Sequence, residues 1–146
     1  MVPTDVSWPA AFHALCRIIP GAEVVGERIS TAKLERVIHE RQPKALWFRL
    51  DNRDDLDVFD KIAAHLGPVD PDAIGVLVMD MSYRRGCSPW GMPVGKMREF
   101  VDTFHDRYED EVFAGDVLLL LEDRCIFVHH EGVFTVILAP PVAGDP

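Results

Sequence analysis

The sequence predicts a single α+β domain spanning residues 1–146, in which a mixed β-sheet carries about four helices and ends in a C-terminal antiparallel three-stranded meander. Three observations predict it. Apolar residues recur at helical spacing in four separate segments. A strand, helix, strand pattern occupies residues 45 to 81, and the last third of the chain holds three short apolar runs separated by tight polar turns. With 146 residues, 48% of them hydrophobic and 27% charged, the composition is that of one globular unit. A chain of this size buries roughly 68% of the surface its unfolded form exposes, so it needs neither a metal nor a disulfide to fold.

Taken in order, Ser7 can cap a first helix with Pro9 in its opening turn and Phe12, Leu15, Cys16 and Ile19 along one face, until Pro20 and Gly21 stop it. Thr31 can cap a second, in which Leu34, Val37 and Ile38 keep helical spacing and Pro43 forbids continuation. "ALWFRL", 45 to 50, reads as a short strand. Leu56, Phe59, Ile62, Ala63 and Leu66 stripe a third helix, capped by Asn52 or Asp54 and ended by Gly67 and Pro68. "IGVLVMDM", 74 to 81, is apolar up to Asp80 and reads as a strand covered on both faces, which with the preceding strand and helix suggests a right-handed parallel crossover. Residues 82 to 93 form a loop, followed by a fourth helix with Met97, Phe100, Val101, Phe104 and Tyr108 inward. "DVLLLL", "RCIFVHH" and "VFTVIL" then make the meander, turning at Glu122-Asp123 and Glu131-Gly132.

The net charge of −9 is local. Residues 51 to 60 hold Asp51, Asp54, Asp55, Asp57 and Asp60 against Arg53, and residues 102 to 116 hold Asp102, Asp106, Glu109, Asp110, Glu111 and Asp116 against Arg107. Two acidic clusters argue against nucleic acid or an anionic membrane as partner and are compatible with a basic protein or a metal ion. The first twenty residues contain Asp5, His13, Arg17 and three prolines where a signal peptide would be apolar, and no run reaches the roughly 18 apolar residues of a membrane span. Cys16, Cys87 and Cys125 are odd in number and lack C-x-x-C spacing, which suits a reducing compartment. The expected location is the cytoplasm.

Chemistry has two candidate seats. "CIFVHHEGVFTVI", 125 to 137, puts His129, His130 and Glu131 side by side, but neighbouring strand residues point to opposite faces, so the two histidines should diverge. A two-residue turn would set His129 opposite Phe134 and His130 opposite Val133, leaving both as rim residues; no metal site is expected. The loop "RRGCSPWGMPVGK", 84 to 96, offers Cys87 beside Arg84 and Arg85, with Trp90 as a possible solvent-facing anchor for a partner. It matches no phosphatase, thioredoxin or protease signature. P-loop, G-x-G-x-x-G, H-E-x-x-H and G-x-S-x-G patterns are absent from the sequence, and "DNRDD" lacks the glycine and distal glutamate of a calcium loop.

The run "REFVDTFHDRYEDEVFAGD" leading into "CIFVHHEGVFTVI", about the last third of the chain, resembles the C-terminal part of small bacterial immunity proteins that neutralise polymorphic toxins. The resemblance implies an acidic, cytoplasmic, single-domain protein without catalytic residues that binds tightly to a toxin domain, often a basic nuclease; no cofactor is expected. The expected function is therefore stoichiometric inhibition. Asp54, Asp55, Asp57, Asp106, Glu109, Asp110 and Glu111, with Trp90, Arg84 and Arg85, are the expected contacts. The alternative is a small cysteine-dependent or anion-binding enzyme centred on the loop 84 to 96.

Overall fold

A computed structural model describes residues 3–141. Four helices form where apolar spacing and punctuation agree. The first, α1 (Trp8–Ile18), is capped by the Ser7 hydroxyl, which accepts the Ala10 N–H at 3.2 Å. In α2 (Thr31–Arg41) the cap is Ser30, one residue earlier than expected, because Ser30 remains extended and its hydroxyl accepts the Lys33 N–H at 3.2 Å. α3 (Asp55–Leu66) follows Asp54 and stops at Gly67, whose φ of 81° lies where only glycine is comfortable. α4 (Met97–Tyr108) ends at Glu109 in the left-handed region, with its N–H returned to the His105 carbonyl at 2.8 Å.

The strands are β1 (Thr4–Asp5), β2 (Val24–Val25), β3 (Arg28–Ile29), β4 (Trp47–Arg49), β5 (Ile74–Val78), β6 (Trp90–Pro93), β7 (Val117–Leu120), β8 (Arg124–His129) and β9 (Val133–Leu138). Seven of them form one sheet in the order β1-β6-β5-β7-β8-β9-β4, and β2 with β3 forms a separate hairpin. The α+β class, the four helices and the meander are as expected.

The parallel crossover is not. Every pairing in the sheet is antiparallel. β4 and β5 do run the same way, but β7, β8 and β9 lie between them. Tight turns make the three meander strands neighbours, and that block separates the strands flanking α3. Residues 90–93, expected as loop, pair with both β5 and β1 as β6.

Helices cover both faces of the sheet. Leu118, Leu120, Cys125, Phe127 and Ile137 share one core with α1 and α2, while Val117, Leu119, Ile126, Val128 and Phe134 share the other with α3 and α4. Strict alternation along each strand sends successive side chains to opposite cores. Double coverage is also why these antiparallel strands read as unbroken apolar runs, a pattern more usual in parallel sheets.

Cys125 is fully buried in this centre, and burial pushes its thiol up to about 12. Its alkylation is expected only as fast as the whole domain unfolds, whereas Cys16 and Cys87 are partly exposed. Labelling followed by mass spectrometry checks this; native-state modification of Cys125 at the rate of the other two would mean that β8 opens locally. The raised thiol also fixes a sign. From the unfolded value of 9.0 up to about 12, the unfolded chain has lost this proton and the folded one keeps it, so Cys125 makes stability fall as pH rises through that window.

Candidate functional site

Two acidic stretches some fifty residues apart in sequence meet on one layer of the molecule. α3 and α4 pack together over the same sheet face, and Arg98 of α4 grips Asp60 of α3 through two hydrogen bonds of 3.0 and 3.2 Å. That pairing, chiefly the hydrogen bonds from Arg98, holds the Asp60 carboxyl below its usual range. At the start of α3, the Asp55 carboxylate accepts the backbone N–H groups of Val112 at 2.8 Å and Phe113 at 3.1 Å, which ties the second acidic stretch to the first. Residues 51–66 carry five acids against Arg53 and Lys61, and residues 97–111 carry six against Arg98 and Arg107. The opposite layer differs: residues 8–44 hold four acids against six bases. The molecule is electrically two-faced.

The expected contacts divide in this geometry. Asp54, Asp57, Asp106, Glu109 and Glu111 are exposed on the acidic layer. Asp55 is committed to the Val112 and Phe113 amides. Asp110 accepts the Glu111 N–H at 2.8 Å and pairs with Arg84, so an acid and a base assigned to separate segments hold each other. Arg85 is exposed. Trp90 does not stand out in solvent as an anchor. It is half-buried in β6, its ring lies against Phe100, Phe104 and Tyr108, and its indole N–H donates to Asp5 at 3.1 Å. Alternation along β6 turns this side chain toward α4, whose aromatic stripe receives it. Cys87 is half-buried within the turn, its N–H bonded to the Arg84 carbonyl at 3.0 Å.

The histidines do not diverge. β8 ends at His129, which pairs with Val133 rather than Phe134, so His130, Glu131 and Gly132 form a three-residue connection with Gly132 at φ 91°. His130 therefore lies beyond the strand, free of its alternation, and the two imidazoles sit 4.1 Å apart at 32°. Asp116, just before β7, completes the group. Its Oδ1 accepts both the backbone N–H and the ring Nδ1–H of His130, each at 2.8 Å. Half-burial alone would raise the Asp116 carboxyl, but these bonds and one from Thr31 outweigh it and hold the carboxyl low; the same contact, with its charge, raises the His130 imidazole.

His129 is only 5% exposed. Its Nδ1 accepts the Glu131 N–H at 3.1 Å, so its proton sits on Nε2 and is donated to Glu35 of α2 at 2.9 Å. A cavity of about 270 Å³ opens beside the group, walled by Thr31, Asp80, Tyr83, Gly115, Asp116 and His130. The sequence did carry a signal for Asp116. Counting back from the Glu122-Asp123 turn sets Asp116 opposite His129. Glu35 had none, because only tertiary packing brings α2 to the end of β8.

At the other end of the sheet lies an open groove of about 1520 Å³ between α1 and the loop before β5, where Arg124 is held by Asp123 and the Leu66 carbonyl. No described helix is long and apolar enough to cross a membrane. Compared with models of known families and with curated proteins, the chain matches none.

Proposed function

We propose that the protein is a stoichiometric inhibitor of the bacterial immunity kind, acting in the cytoplasm, whose α3–α4 layer docks a basic partner such as a toxin domain. The observation that carries this reading is the convergence of the two acidic stretches, whose carboxylates Asp54, Asp57, Asp106, Glu109 and Glu111 all face solvent from one layer. A field of one sign over a continuous surface draws an oppositely charged partner from a distance and orients it before contact. Isolated charges on opposite faces would not.

The test uses the protein that co-purifies with this chain, with association measured by stopped flow at several salt concentrations. The informative variant replaces Asp57, Asp106, Glu109 and Glu111 with lysine and leaves Asp55 and Asp110, which hold backbone and Arg84, untouched. Its association rate is expected to fall by roughly tenfold or more with much less change in dissociation, and salt is expected to reproduce that fall because screening acts over about 10 Å at 0.1 M. Stability should stay within about 0.5 kcal/mol, since these side chains touch no core. An unchanged association rate at low salt would remove the acidic layer from consideration.

A further inference from the structure

We infer that Asp116, His129 and His130 form a binding site for a late first-row divalent metal ion such as Zn2+. Each residue presents one ligand atom, and the three atoms lie within 4.8 Å of one another. Tetrahedral zinc with bonds near 2.0–2.1 Å holds its donors roughly 3.4 Å apart, so the set must close by only about 1–1.5 Å. The structure supplies the freedom to do so. The His130 side chain is 58% exposed on a three-residue connection and can rotate without disturbing either core.

The partners of these groups have the arrangement a metal site requires. Imidazoles that bind metal usually donate their other ring N–H to a carboxylate, which fixes the tautomer and aims the lone pair. Glu35 does this for His129: it takes the Nε2–H, leaving the Nδ1 lone pair to bind, and the backbone N–H of Glu131 now fills that place. Asp116 and His130 meet through a proton that the ion would replace. Two imidazoles and one carboxylate select Zn2+, Co2+, Ni2+ or Cu2+ over Mg2+ and Ca2+, which prefer all-oxygen shells. Further ligand positions face the cavity in which Asp80 stands, open to water or to a group from a docked molecule. The site lies on the edge between the layers, so this inference is independent of the acidic docking face.

The full chain, stripped with chelator, is titrated with ZnCl2 by calorimetry and with CoCl2 by visible absorption. One equivalent of Zn2+ is expected to bind with micromolar affinity, unaffected by millimolar Mg2+, and Co2+ is expected to show the intense bands of low coordination number. His130→Ala and Asp116→Asn should each weaken Zn2+ at least tenfold, Glu35→Gln should weaken it by roughly 10–100-fold through loss of aim, and His105→Ala on α4 should change nothing. Because His130 is exposed, its variant remains folded, and circular dichroism checks that. Zinc affinity that survives both His130→Ala and Asp116→Asn, or the absence of one-to-one binding in the unaltered chain, overturns the site.

Discussion

Phe127→Ala is expected to cost about 3–5 kcal/mol, the largest effect of any single truncation in the molecule's centre. Phe127 has no exposed surface, lies in the middle of β8 and is among the largest fully buried side chains. It meets Trp47 edge-on at 6.2 Å and sits on the core shared with α1 and α2, so truncation opens a void bounded by rigid strand backbone on one side. Strands bonded on both edges cannot move in to fill it. Against total stabilities of about 5–15 kcal/mol for natural domains, such a loss leaves a marginal protein. Urea unfolding followed by tryptophan fluorescence and by circular dichroism measures it. A loss below about 1 kcal/mol would mean that the helices settle into the void and that this core is plastic.

Asp55→Ala is expected to cost about 2–3 kcal/mol, although a surface carboxylate is usually dispensable. Its two oxygens separately accept the Val112 and Phe113 amides, at 2.8 and 3.1 Å, and both of those residues are buried. Removing the acceptor leaves two partly buried donors without a partner and takes a negative charge from the first turn of α3. Asp54→Ala and Asp57→Ala are the comparison. Asp54 makes no side-chain capping bond and Asp57 is exposed, so each should stay within about 0.5 kcal/mol. Equal costs for Asp55 and Asp57 would show the paired amides to be satisfied by water. The loss should also reach the docking surface, because the segment that Asp55 holds carries Glu109 and Glu111.

What the sequence makes legible follows from how local each cause is. Helices α1 and α3 are bounded by a serine or aspartate before and a glycine or proline after, and those signals act within a few residues. β6 escaped because Pro89, Gly91 and Pro93 punctuate it, yet it is held as a strand by neighbours on both sides. The β2–β3 hairpin carried a readable turn, Gly26-Glu27, with both φ values positive, inside a stretch otherwise short on alternation. The acidic stretches were visible as composition, but their meeting depends on α3 packing against α4, a tertiary event. For the histidines a single residue of register decided the outcome: a two-residue turn keeps His130 in the strand and sends it away from His129, and a three-residue connection releases it.

The strand order also has a consequence for biosynthesis. Residues 117–138 supply the three strands lying between β5 and β4, so the centre of the sheet is the last part of this domain to leave the ribosome. A nascent chain that has emerged only through α4 carries the segments of all four helices and of all four outer strands of the sheet, yet it lacks the surface on which either helical layer rests. Its apolar stripes, Leu15 and Leu34 on one side and Ile62 and Phe104 on the other, have no sheet centre to cover them until translation of β9 is complete. Both helical layers thus depend for their burial on long-range contacts that only the β7–β9 segment can supply.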